Sequence, residues 1–183
     1  MLRIFIFSAA LCLPMANALA ETSRFSDLYG KHCTALAGEP ESGISTRRCS
    51  GVAGYSLLIH EAHAQTTVDI VTPAQVVYPL QLWEVVTPGL AYVGRKAEWR
   101  MGMRGGRAVP TALLLRLDTR NPQSEGPRLA GGAILTASRI AADGACVVYQ
   151  GSATPRQADA LARAAVQDGR RHCLGVFQVD AAR

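Results

Sequence analysis

The sharpest pattern along the chain is a two-residue alternation between residues 96 and 117. Trp99, Met101 and Met103 alternate with Glu98, Arg100, Gly102 and Arg104. After Arg104-Gly105-Gly106 the apolar positions resume, and Val109, Thr111, Leu113, Leu115 and Leu117 share one parity. A period of two marks a strand with one buried face, so the segment predicts a β-hairpin with Trp99, Met101 and Met103 in the core. Parity also constrains the loop. A two-residue Gly105-Gly106 turn pairs Arg100 with Thr111 and Glu98 with Leu113, which sets leucines on the charged face. A three-residue loop over 104–106 pairs Met101 with Val109, Trp99 with Thr111 and Ala97 with Leu113, gathering the apolar residues on one face. The expectation is therefore the three-residue loop, with Gly106 as the left-handed residue of a bulge.

Other segments carry weaker patterns. Residues 132–140 and 145–150 read as a second hairpin turning at Asp143-Gly144. Tyr55 to His60 and Thr66 to Val71 are rich in β-formers and predict a third, turning near Glu61–Gln65, with one long bent strand as the alternative. Residues 24–36 and 44–49 read as two short strands or loops flanking a soft connection at 38–43. Pro73, Pro79, Pro88 and Gly89 make 73–94 a meander, with a short strand expected at 82–86 and Leu80, Leu82 and Trp83 as its anchors. Residues 118–128 form a polar loop. One helix is expected after Ser152: Thr154 as N-cap, Pro155 at N1 and Gln157 at N3 make a capping box. Ala158, Leu161, Ala162, Ala165 and Val166 then form a buried stripe, and Gly169 ends the helix. Alanines in the stripe let the helix lie close on a sheet, facing Ala133, Leu135 and Ala137.

These elements predict an α+β fold: an antiparallel sheet of about five to seven strands with one C-terminal helix packed on it. The first twenty residues, MLRIFIFSAALCLPMANALA, stand apart. Arg3, the apolar run Ile4 to Leu13, the breakers Pro14 and Asn17, and Ala18-Leu19-Ala20 follow the three-part order of a secretory signal peptide. The organisation expected is a signal peptide over 1–20 and a single exported domain over 21–183, with no transmembrane segment after cleavage.

That cut changes the composition. The whole chain has 183 residues, a formal charge of +5 and five cysteines. Removing residues 1–20 takes Arg3 and Cys12 and leaves 163 residues, +4 and four cysteines. An even count suits an oxidising compartment. Cys33, Cys49, Cys146 and Cys173 allow three connectivities, and the sequential pairing is favoured because each pair brackets one local unit. Arginine outnumbers lysine 17 to 2, which reads as bacterial coding bias. The expected location is the periplasm or the medium. No cofactor is expected, since no Gly-rich phosphate loop occurs.

Candidate chemistry is sparse. His60-Glu61-Ala62-His63 invites a metal reading, but the helical zinc motif places three residues between histidines on one helix face. Here only Glu61 and Ala62 intervene, and this segment reads as strand or turn. His60, Glu61 and His63 are the metal candidates, with His32 or His172 as a third ligand, set against a solvated hairpin tip. No G-x-S-x-G occurs. Arg100, Arg104, Arg107 and Arg116 cluster on one hairpin, and Arg170 and Arg171 follow the helix. Arg100, Arg104, Arg107, Arg170 and Arg171 are the candidates for an anionic-partner patch, the alternative being a solvated face. An envelope protein or an anionic glycan fits such a patch; at a charge of +4, nucleic acid does not. Trp83 and Tyr92 are the expected exposed aromatics, beside a groove for glycan or peptide.

Several pieces together are familiar: Cys33, the run Arg48-Cys49-Ser50-Gly51-Val52-Ala53-Gly54-Tyr55, Glu98-Trp99-Arg100, Pro110-Thr111-Ala112, and Cys146 with Cys173 around an alanine-rich helix. With the signal peptide, the chain resembles a group of small exported, uncharacterised proteobacterial proteins with two disulfides. The resemblance implies the fold and export, and it carries over no catalytic residue. The turn Glu61-Ala62-His63-Ala64-Gln65 departs from the Gly-Asp type turn of that group. The reading that follows is an exported, non-enzymatic binding or inhibitor-like module. The alternatives are a small exported hydrolase or metal enzyme using His60, Glu61 and His63, and an envelope accessory protein without a small ligand.

Overall fold

A computed structural model describes residues 22–37, 43–63, 65–87, 89–119, 132–152, 156–168 and 172–175. The expected signal peptide, most of the polar loop, the cap residues Thr154 and Pro155, and Gly169, Arg170 and Arg171 lie outside them. In chain order the elements are β1 (Thr22–Asp27), β2 (Cys33–Leu36), β3 (Ser45–Ser50), β4 (Ser56–Ala62), β5 (Gln65–Val71), β6 (Val77–Pro79), α1 (Leu82–Val85), β7 (Ala91–Arg104), β8 (Arg107–Thr119), β9 (Ala133–Ile140), β10 (Ala145–Ser152) and α2 (Arg156–Gln167).

The strands form one ten-stranded sheet in the order β10-β9-β8-β7-β5-β4-β3-β2, with β1 added to β7 and β6 to β5. This corrects the expected five to seven antiparallel strands. The sheet is mixed, because β5 and β7 meet in parallel at Gln65 and Ala91. The extra strands β1, β2 and β6 are three to six residues long. They are strands because a neighbour completes their hydrogen bonds, and runs that short carry no readable period. The strand expected at 82–86 is also corrected. Gln81 turns the chain at φ 50°, the Leu82 N–H is capped by Thr67 Oγ1 at 3.0 Å, and Val85 and Val86 close helical bonds to Gln81 and Leu82. A short apolar run does not distinguish helix from strand; here tertiary contacts decide.

All three expected hairpins form, and the longest differs in detail. Arg104 pairs with Arg107, so the loop is the two-residue Gly105-Gly106, both at positive φ, as a type I′ turn requires. Pairing runs to Met101 with Pro110 and then slips, so that Arg100 faces Ala112, Trp99 faces Leu113 and Ala97 faces Leu115. Thr111 is the extra residue of a bulge. Parity demanded one added residue, and the chain inserts it within β8 and not in the loop. Gly102 makes room: a Cβ there would lie 2.7 Å from Thr111 Cγ2, while Thr111 Oγ1 donates to the Arg100 carbonyl at 3.2 Å. Trp99 and Met101 are core, but Met103, near the tip, is 56% exposed. The β9–β10 turn centres on Ala142-Asp143, with Ala141 N–H bonded to Gly144 O at 2.8 Å, one residue earlier than expected.

A second slip in β7 shapes the molecule. Val93 faces Leu117 and Ala97 faces Leu115, so Gly94, Arg95 and Lys96 stand against Arg116 alone. At this bend β7 exchanges its outer neighbour β5 for β1, where Asp27 pairs with Lys96. The inward residues of β4 and β5 (Leu57, Ile59, Val68, Ile70) thereby share one core with Ala97, Trp99, Met101, Leu113, Leu115 and Leu117 of β7 and β8. On the opposite face of β8 and β9, Leu114, Leu135 and Ala137 pack against Ala162 of α2, joined by Tyr149 and Val166. The C-terminal helix therefore lies on the sheet as its alanine stripe predicts. The sequential disulfides form: Cys33–Cys49 joins opposed residues of β2 and β3, and Cys146–Cys173 ties β10 to the segment after α2.

Candidate functional site

Strand parity separates the candidate metal ligands. Glu61 shares the core-side parity of Leu57 and Ile59, and His60 points to the other face. Glu61 accepts from Arg47 Nη1 at 2.8 Å; the Arg47 guanidinium lies 4.6 Å from the centroid of the Tyr29 ring and its Nε donates to Leu28 O at 3.3 Å. Tyr29 in turn donates its hydroxyl to Val93 O at 2.9 Å, and burial holds that hydroxyl above its ordinary range against the opposing charge of Arg47. His63 occupies the β4–β5 turn at φ 48° and is exposed. His32 sits 3.7 Å from Asp27. Among the described residues no three His, Cys, Asp or Glu side chains gather around a point that suits a metal ion. His60, Glu61 and His63 do not converge.

His60 instead joins two residues that sequence reading passed over. Its Nδ1 lies 2.9 Å from Thr46 Oγ1, and its Nε2 lies 3.0 Å from Asp69 Oδ2. Thr46 stands opposite His60 across β3–β4, and Asp69 stands diagonally across β4–β5. A carboxylate only accepts, so Nε2 carries a hydrogen toward Asp69, and Nδ1 faces the Thr46 hydroxyl. The order hydroxyl, imidazole, carboxylate is that of an activated nucleophile. The available signal was parity: Thr46, His60 and Asp69 each take the outward position of its strand. That the three strands are neighbours is a tertiary fact.

The arginine group divides. Arg100 is 11% exposed in its side chain and donates to Ser23 Oγ at 2.7 Å, so it belongs to a half-buried polar cluster with Glu98 and not to a surface patch. Arg104 and Arg107 are exposed at the hairpin tip, and Arg170 and Arg171 lie outside the described residues. Trp83 and Tyr92 are half-buried, which corrects the expectation that they are the exposed aromatics. Tight packing of α1, with Leu82 and Val85 in the core, draws Trp83 in.

The aromatic cleft lies elsewhere. Tyr55, Pro73, Val76, Tyr78 and Arg104 line an open cleft completed by Ala142 of the β9–β10 turn. Its side chains are held. The Tyr55 ring packs at 6.3 Å and 59° to Trp99. Tyr78 donates its hydroxyl to Ala142 O at 3.1 Å, and Arg104 Nη2 donates to Ile140 O at 3.3 Å. The 72–76 turn is fixed as well: Thr72 N–H bonds to Val76 O at 2.9 Å, and Val76 N–H bonds to Thr72 Oγ1 at 3.1 Å. Gln75, at φ 63°, accepts from Arg48 Nη1 at 2.8 Å. Val76 and Val77 are 47% and 41% exposed beside the cleft. Among the described residues, none that line it carries an acidic side chain. A second open cleft carries both signs, with Asp27 beside Lys31, His32 and Arg95.

No protein-family model, curated protein or solved structure matches the chain. The functional reading therefore rests on these two constellations.

Proposed function

We propose that the protein is an exported, disulfide-stapled binding module without catalytic activity. The observation that supports this best is the cleft at Tyr55, Pro73, Tyr78 and Arg104, in which Tyr55 packs against Trp99 and Tyr78 and Arg104 each hydrogen-bond to a main-chain carbonyl. Preorganised amphipathic side chains reduce the ordering cost of binding. Exposed apolar residues beside a fixed, strained turn add to the reading, since rigid loops on a scaffold present contact surfaces. Two disulfides agree with an oxidising compartment, and no helix among the described residues is long and apolar enough to cross a membrane.

A second reading, a small exported hydrolase, is favoured by the Thr46–His60–Asp69 array. One experiment separates the two. Backbone NMR of the labelled protein during titration with small acidic and aromatic fragments should shift resonances of residues 72–78 and Arg104. Shifts centred on Thr46 and His60, with slow turnover of ester fragments, would overturn the binding reading in favour of the hydrolase.

A further inference from the structure

Resting on that reading, we infer that the cleft takes an oligosaccharide bearing carboxylate groups, of the uronic acid type. Tyr55, Tyr78 and Pro73 supply flat apolar faces, against which the C–H faces of a sugar ring stack. Arg104 supplies the charge. A guanidinium carries five donors, so its bond to Ile140 O leaves donors for a ligand, and its planar fork matches a carboxylate. Arg107, opposite Arg104 in the hairpin register, adds a second exposed cation. With Arg104 and no acid among the described lining residues, the cleft favours an anion. It is open and not enclosed, which suits a chain that continues past the site. An extended peptide fits less well. The adjacent strand β6 offers three residues ending in Pro79, which lacks an N–H, so main-chain addition has little edge to use.

Calorimetric titration with tetragalacturonate, and with the neutral maltotetraose as control, tests the inference. Tetragalacturonate should bind about tenfold or more tightly than the neutral sugar, and its affinity should fall as salt is raised. Arg104→Gln should remove about tenfold of that affinity with an unchanged melting temperature. Tyr78→Ala should abolish binding, and Tyr78→Phe, which keeps the ring but loses the bond to Ala142 O, should bind more tightly than Tyr78→Ala and more weakly than the wild type. Equal affinity for the two sugars, or an Arg104→Gln variant that binds as the wild type does, overturns the assignment. If neither sugar binds while small fragments still shift the cleft resonances, the sugar class alone is wrong. A cleft silent to fragments and sugars alike removes the binding reading with it.

Discussion

Arg163 of α2 clasps Glu98 of β7 with both arms of its guanidinium, Nε to Oε1 at 3.2 Å and Nη2 to Oε2 at 3.1 Å. Ser23 of β1 donates to the same carboxylate at 2.6 Å, and Arg100 Nη1 lies 3.7 Å away. One carboxylate, 12% exposed, thus ties the first strand and the last helix to the middle of the sheet. Burial alone would raise its pKa. The bonds from Arg163 and Ser23, with the charges of Arg163 and Arg100, outweigh burial and hold it below the ordinary carboxylate value.

A pH dependence follows from that depression. A carboxylate held lower in the folded chain contributes stability above its unfolded pKa and loses it as pH falls through the folded value. Arg163→Ala should therefore cost about 1–3 kcal/mol at neutral pH, with the cost shrinking in acid below the range where Glu98 titrates. Urea denaturation of wild type and variant at neutral and strongly acid pH checks this; a cost that does not change with pH would contradict it.

The bulge in the central hairpin gives a steric test. Gly102→Ala places a Cβ 2.7 Å from Thr111 Cγ2 and should destabilise by about 1–3 kcal/mol. Thr111→Ser removes that methyl and keeps the hydroxyl that bonds to Arg100 O. In the Thr111→Ser background the Gly102→Ala cost should fall by at least about 0.5 kcal/mol. Additive costs in the double-mutant cycle would mean that the two residues do not meet.

Gly51 should tolerate a side chain no better. A Cβ there would lie 2.7 Å from both Trp99 Cζ2 and the Tyr55 carbonyl, and Trp99 is fully buried. Gly51→Ala should cost about 2 kcal/mol or more and should alter the tryptophan fluorescence. A variant of wild-type stability with an unchanged spectrum would refute the packing described.

Each disulfide should contribute about 3 kcal/mol, given sequence separations of 16 and 27. Losing Cys146–Cys173 should have a further local effect. Leu174 N–H bonds to Val147 O at 2.8 Å and covers the edge of β10; without the staple that bond should exchange faster. Denaturation of the double-alanine variants and hydrogen exchange at Leu174 measure the two effects. Unaltered exchange would show that the segment stays docked without its bridge.

The Thr46–His60–Asp69 array predicts coupling even if it does no chemistry. Asp69→Ala should cost about 1–2 kcal/mol and Thr46→Ala about 0.5–1 kcal/mol, non-additively with His60→Ala. Wild-type stability in all three variants would mean that the hydrogen bonds add nothing.

Some of this was legible along the chain and some was not. Alternation located the central hairpin, β-formers and turn residues located the other two, and the parity of the first correctly required one extra residue near its turn. It could not say that Thr111, and not the loop, supplies it, because any insertion point restores the same face. The alanine stripe announced a helix that lies close on a sheet, and the bracketing of local units named both disulfides. His60 and Glu61 stand apart for an equally local reason: they are adjacent in a strand and point to opposite faces. Trp83 was misread because residues 82–85 form a short helix, with Leu82 and Val85 in the core, where a strand was expected.

The sequence by itself determined where the principal hairpins and the last helix lie and which of their faces turn inward, and it favoured the sequential cysteine pairing that the structure contains. Those properties depend on side-chain periodicity and short separations, which are written locally. Only the tertiary structure decided the ten-stranded order, the bend at Gly94–Lys96, the array around His60 and the cleft of Tyr55, Tyr78 and Arg104. Each of these brings together residues from separate elements. Their meeting depends on which strand edges pair and how the sheet closes over its core, and no local pattern encodes that.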